Sequence, residues 1–292
     1  MGREIEPWGD SMKAAEPTHQ FFKTWDGYEL YFQSWIPEKK KGTLVVLHGL
    51  GEHSGRYRFF IDYFLEQGWA LYLMDQRGHG KSPGPRSHVD RFQDLVDDLE
   101  RFVGLVRERE AQLPLFLVAH SFGGQVGVNY LARRPKEVKG AVLSGPNLKL
   151  ALPVPALKKI LGTAASRFLP EVLIPNDIHA SWVSHDEAVV RAYEEDPLVG
   201  RKISLKLGAE ILKNLDEVMS LAPRIKTPLL IVHGGDDKIT AAEGSREFFE
   251  RVEGKDKLLK IYPGYFHETF NEVGKEKVFR DIEHWLEARL KK

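Results

Sequence analysis

The segment LFLVAHSFGGQVGVNYL, residues 115–131, decides how this chain is read. It opens with a continuous apolar run of the kind that forms a strand buried on both faces. Ser121 follows at once, and QVGVNYL then continues as a helix. A serine at a strained strand-to-helix turn stands above the sheet with its hydroxyl exposed, the geometry of a nucleophile elbow. Strand and helix backbones crowd at such a turn, so the residues two before and two after the serine have to be small. Here they are Ala119 and Gly123, where the usual pattern has glycine at both. The helix start also aims free N–H groups and its positive dipole end at the site, which favours negative charge there. A serine that only caps a helix is the plain alternative. Ser followed by Gly-Gly at a strand exit argues for chemistry instead.

Outward from the elbow, strand and helix patterns alternate. TLVVLHG, WALYLMD and VKGAVLSG read as buried strands. RYRFFIDYFLEQG, closed by Gly68, and FQDLVDDLERFVGLVRERE have helical spacing. This alternation over residues 43–145 predicts a right-handed, mostly parallel sheet flanked by helices. Upstream, FFKTWDGYELYFQSWIP reads as a hairpin around Asp26-Gly27. From residue 146 to 215 the rhythm breaks into a helical, proline-punctuated segment without an evident strand. It returns with TPLLIVHG, AEGSREFFERV, KLLKIYPG and a last helix over residues 275–290. The predicted class is α/β, an α/β-hydrolase fold. Residues 18–145 and 216–292 form the core, 146–215 a helical cap, and 1–17 a polar arm.

Composition narrows the functions. Lys plus Arg and Asp plus Glu both number 42, so no net field attracts nucleic acid, and no nucleic-acid partner is expected. The absence of cysteine excludes disulfides, thiolate catalysis and thiolate-bound metals. The first residues carry charges and prolines where a signal peptide needs an apolar stretch, and no apolar run approaches a membrane span. A cytoplasmic protein is expected, with peripheral membrane contact left open; composition gives no oligomeric state.

In this fold the acid and the base follow the serine in that order along the chain. LLIVHGGDDKIT offers two acids just past a strand, Asp236 and Asp237. Asp237, three residues after Gly234, is favoured, and Asp236 stays open. His267 lies in the loop after the last strand, in the right order and on the right side of the sheet, which singles it out among 11 histidines. HETFN resembles a zinc-protease helix but has Asn271 where the second histidine belongs, so neither a metal nor another cofactor is expected. HGLGEHSGRY follows the first buried strand. A backbone N–H from that loop and the N–H after the nucleophile form the oxyanion hole of such a fold, which selects Leu50 and Phe122.

Taken together, HGLGEHSGRY, DQRGHGKS, AHSFGG, AYEEDPL, IVHGGDDKIT and KIYPGYFHE resemble the monoacylglycerol lipases and their lysophospholipase-like relatives. The matching segments run in the family's order over nearly the whole chain. The resemblance implies a cap over the active site, an acyl tunnel beneath it and a polar pocket for the glycerol head. It places Glu52, Arg56 and Tyr193 at that pocket; the plainer readings are a local ion pair for the first two and cap packing for Tyr193. Mammalian members have a second histidine three residues after the catalytic one, and here that residue is Phe270.

Within the cap, Leu157, Ile160, Leu161, Ala164, Ala165 and Phe168 share one helical face. Such a stripe either packs inward or serves as a lid that meets an acyl chain, a micelle or a membrane. The function read from the sequence is a serine hydrolase that cleaves lipid esters, first of all monoacylglycerols, through an acyl-enzyme on Ser121. A general carboxylesterase or lysophospholipase with the same three residues is the alternative. A dehalogenase would need aspartate in place of Ser121, and an inactive binding protein would lack one of the three groups.

Overall fold

The structure is a computed structural model that describes residues 16–290 apart from Arg134 and Pro153. Most of the polar arm, residues 1–15, lies outside the described residues. The strands are β1 (Thr18–Lys23), β2 (Glu29–Trp35), β3 (Gly42–Leu47), β4 (Trp69–Met74), β5 (Leu115–His120), β6 (Gly140–Ser144), β7 (Leu173–Pro175), β8 (Lys202–Ser204), β9 (Leu229–Gly234) and β10 (Lys257–Tyr262). The helices are α1 (Arg58–Glu66), α2 (Phe92–Arg109), α3 (Ser121–Leu131), α4 (Ala156–Ala165), α5 (Glu187–Glu195), α6 (Leu205–Val218), α7 (Ala242–Arg251) and α8 (Lys275–Leu290).

Eight strands form one sheet in the order β1-β2-β4-β3-β5-β6-β9-β10. The β1–β2 hairpin and the β2–β4 pair are antiparallel, and every other pairing in this sheet is parallel. The central strands are buried on both faces because their side chains alternate between two cores. Val45, Leu47, Leu117, Leu143 and Ile231 point into a core closed by α2, α3 and α7, with Phe102, Val126 and Phe248. Leu44, Val46, Phe116, Val142 and Val232 point into the other, closed by α1 and α8, with Phe60, Phe64, Phe279 and Trp285. This is the α/β-hydrolase architecture that the alternation of strands and helices predicts.

The segment between β6 and β9 departs from the expectation in one respect. Besides α4, α5 and α6 it carries a small antiparallel sheet, in which Leu173 to Pro175 pair with Ser204 to Lys202. Strands of three residues are too short to display a two-residue alternation, so the sequence does not reveal them. The helix that carries the apolar stripe is α4, which packs on α6 and turns the stripe outward: Leu157 is 67% exposed and Phe168, just beyond the helix, 83%.

Candidate active site

Ser121 opens α3 directly after β5 with φ +53°, a conformation that residues other than glycine rarely adopt. The surrounding glycines show why the turn is possible. A Cβ on Gly123 would lie 2.4 Å from the carbonyl oxygen of His48 and 2.7 Å from that of Leu47, at the end of β3. A Cβ on Gly124 would meet Pro146 at 2.8 Å. Ala119 is accommodated because Gly127 stands opposite it, where an added Cβ would come within 3.2 Å of the alanine methyl.

The structure brings Ser121, His267 and Asp237 into one line. The Ser121 hydroxyl lies 2.9 Å from Nε2 of His267, and Nδ1 of His267 lies 2.6 Å from Oδ2 of Asp237. Asp237 is held from several sides. Its Oδ1 accepts the backbone N–H groups of Ile239 and Thr240 at 2.8 and 2.9 Å, and its Oδ2 accepts the Thr240 hydroxyl at 2.8 Å. Nε2 of His233 is a further 3.2 Å neighbour of Oδ2, a contact that the sequence does not announce. Asp236, the other acid left open, is exposed, and its N–H donates to the Tyr265 carbonyl. Burial opposes ionisation of Asp237, but His267 and His233 outweigh it and hold the carboxyl below the usual carboxylate range. Burial likewise opposes charge on His267. Asp237 overcomes it, aided by the nearby Glu268 and Glu52, so the imidazole sits above its ordinary value.

Leu50 and Phe122 flank the serine. Phe122 occupies the first turn of α3, where N–H groups have no intrahelical acceptor. Gly49 lets the Leu50 backbone come close, for a Cβ there would stand 3.0 Å from Cβ of Ser121. The loop is tied from behind: the Gly49 N–H donates to Oε1 of Glu52 at 2.5 Å. From above, Gly200 of the cap donates to the Gly51 carbonyl at 2.7 Å, and His53 pairs with Asp196 at 2.8 Å. The His53–Asp196 contact joins the two most distinctive segments of the sequence, GEHSGRY and AYEEDPL.

A small pocket of about 20 Å³ lies against Ser121, lined among others by Leu50, Glu52, His120, Tyr193 and His267. Of the three residues assigned by resemblance to a head-group pocket, Glu52 and Tyr193 reach this cavity. Arg56 does not: its guanidinium is committed to Glu268 and Glu52 and lies beneath the Tyr193 ring at 4.6 Å. His120 was not singled out in the sequence, although its place beside the serine was the available signal. Its Nδ1 lies 3.0 Å from the Ser144 carbonyl, and its ring centre 4.8 Å from that of His267. Burial first, then His267, lowers its pKa to about 4, so it is neutral at ordinary pH. Among the described residues no cluster of side chains has the make-up of a metal site.

Glu272 is a second residue not identified in the sequence. Its buried carboxylate accepts the N–H groups of Phe266, His185 and Val273 at 2.8–2.9 Å and the Ser184 hydroxyl at 3.2 Å. It therefore fastens the cap to the loop of His267, and a backbone bond from Glu268 to the Val183 carbonyl at 2.8 Å does the same.

Comparison with known proteins places the chain in a family. The family model described as "Serine aminopeptidase, S33" (Hydrolase_4) matches residues 38–274. A monoacylglycerol lipase of Mycolicibacterium smegmatis is 34% identical over 270 residues, covering 90% of this chain and 95% of that protein. An uncharacterized abhydrolase domain-containing protein of Dictyostelium discoideum is 36% identical over 91% of this chain, which spans only 28% of that longer protein. The crystal structure of the Paleococcus ferrophilus monoacylglycerol lipase superposes with a TM-score of 0.82 at 34% identity, over 89% of this chain and 99% of that one. The chain belongs to the serine aminopeptidase S33 family of α/β-hydrolases and is a monoacylglycerol-lipase-like serine ester hydrolase.

Proposed function

We propose that the chain hydrolyses monoacylglycerols to fatty acid and glycerol through an acyl-enzyme on Ser121. The observation that carries this reading is the hydrogen-bonded line from Ser121 through His267 to Asp237, opening on a cavity with polar and apolar walls. His267 takes the proton of Ser121 as the hydroxyl oxygen attacks the ester carbonyl, and Asp237 steadies the imidazolium and fixes its tautomer. The N–H groups of Leu50 and Phe122 receive the oxyanion. His267 then protonates the leaving glycerol oxygen, and water repeats the sequence on the acyl-enzyme. Glu52, Tyr193 and His120 form the polar wall that the glycerol head would meet.

An acyl chain needs far more room than this small pocket offers, since ligand pockets run to several hundred Å³. We assign the opening to the α4 side of the cap. The other half is bonded to the oxyanion loop and to the His267 loop, whereas α4 rests on α6 with its apolar side chains outward. That outward face is suited to a micelle or bilayer surface, so membrane contact would be peripheral; among the described residues no helix is long and apolar enough to cross a membrane.

The test is fatty-acid release from mono-, di- and triacylglycerols, a lysophospholipid and short aryl esters, with wild type and Ser121→Ala side by side. Monoacylglycerols should lead, and Ser121→Ala should lose nearly all activity. A preference for short aryl esters with poor monoacylglycerol turnover would keep the mechanism and reject the substrate.

A further inference from the structure

Arg56 is the most deeply buried cation near the site, with its side chain 1% exposed. Its Nη1 and Nη2 donate to the two oxygens of Glu268 at 2.5 and 2.9 Å, a bidentate fork. Nη1 also donates to Oε2 of Glu52 at 3.1 Å. The opposite oxygen of Glu52 accepts the Gly49 N–H and the Tyr57 hydroxyl. Glu268 directly follows His267, and its Oε2 accepts the Asn271 amide at 2.8 Å. A continuous chain of bonds thus runs from the loop of Leu50, through Glu52, Arg56 and Glu268, to the loop of His267. Tyr193 of the cap covers the guanidinium.

A buried ion triad is a weak source of stability, because desolvation consumes much of the Coulomb gain. What it fixes well is geometry, since a planar fork holds two carboxylates at a set separation and angle. The triad also carries one uncompensated negative charge next to the imidazole. The other groups around His267 are Ser121 and Thr240, Asp237 with His233 behind it, and the neutral His120. Asp237 supplies the nearest negative charge, and the triad supplies the rest.

We propose that Arg56 is a positioning residue for the reaction rather than a substrate ligand: it sets the distance between the oxyanion loop and the His267 loop, and Glu268, held by it, favours the imidazolium that forms during turnover. This rests on the reading of His267 as the base. The raised pKa of His267, to which Glu268 and Glu52 contribute after Asp237, agrees with it.

Steady-state kinetics across pH, on a soluble ester, separates the two parts. Glu268→Gln removes the charge and should move the acid limb of kcat/KM to lower pH by about half a unit. Glu268→Asp keeps the charge, so the limb should stay near that of wild type while kcat falls. Arg56→Lys keeps the cation but loses the fork, and should lower kcat by about tenfold or more with little change in KM and an unmoved limb. An acid limb that stays put in Glu268→Gln, or moves equally in Glu268→Asp, would overturn the electrostatic part. An Arg56→Lys variant that raises KM and leaves kcat intact would make Arg56 a substrate ligand and overturn the positioning part. Arg56→Lys also supplies an arm independent of whether Glu268→Gln folds. Ser121→Ala is run alongside: full activity there would remove the underlying reading, whereas an inactive Ser121→Ala with unmoved limbs and kcat rejects this inference alone.

Discussion

Oδ2 of Asp237 lies 2.6 Å from Nδ1 of His267, and the aspartate side chain is 0% exposed. A carboxylate so placed can act on the reaction only through the imidazole, by fixing which nitrogen carries the proton. Asp237→Asn should therefore lower kcat by about a thousandfold to ten-thousandfold with a nearly intact fold. Asp236→Asn, on an exposed side chain one residue away, should stay within a few-fold of wild type. Kinetics of the two variants on one ester compare the candidates directly.

As the proposed base, His267 would work when neutral, and its surroundings favour the charged form. His267 is raised from 6.5, so kcat/KM should fall on acidification with a midpoint above that value. Loss of the Asp237 charge should move the midpoint down. A pH profile of kcat/KM with a midpoint well below 6.5 would mean that a different group limits the rate.

Gly123 leaves no room for a methyl group against two backbone carbonyls, and backbone cannot swing aside as a side chain can. Gly123→Ala should destabilise the protein by about 2 kcal/mol or more and strip the Ser121 turn of activity. Gly127→Ala meets side chains alone, the Ala119 methyl at 3.2 Å and Leu117 and Leu143 at ordinary contact distance, and should cost less. Thermal melts of both variants, read with their activities, rank the two sites.

The outward side chains of α4 and the residues after it form the surface assigned to lipid contact. Leu157→Ser with Phe168→Ser removes two large apolar groups that are 67% and 83% exposed. Activity on micellar monoacylglycerol should drop by about tenfold, while turnover of a soluble aryl ester stays near wild type. Equal losses on both substrates would mean that these residues act on the fold or the site instead.

Much of this is legible in the sequence. The buried strands announce themselves because residues such as Val45 and Leu117 sit in a sheet covered on both faces, where nearly every position is apolar. The elbow is legible because its sterics admit few residues around Ser121. What the sequence conceals is set by packing across long separations. Nothing in HETFN says that Glu268 will fold back onto Arg56, 212 residues away. Glu272 reads as an ordinary helix-flanking acid until the cap arrives beside it. The stripe on α4 has the same periodicity whether it faces a core or solvent, so its outward orientation waits on the structure. The β7–β8 pair is hidden by brevity.

Whether turnover passes through an ester on Ser121 is read from mass spectrometry of the protein quenched in acid within the first turnovers of a monoacylglycerol. The mass should increase by one acyl group, located on the peptide that carries Ser121 and absent from Ser121→Ala. Hydrolysis that proceeds with no adduct on Ser121, or with the acyl group on another residue, would contradict it.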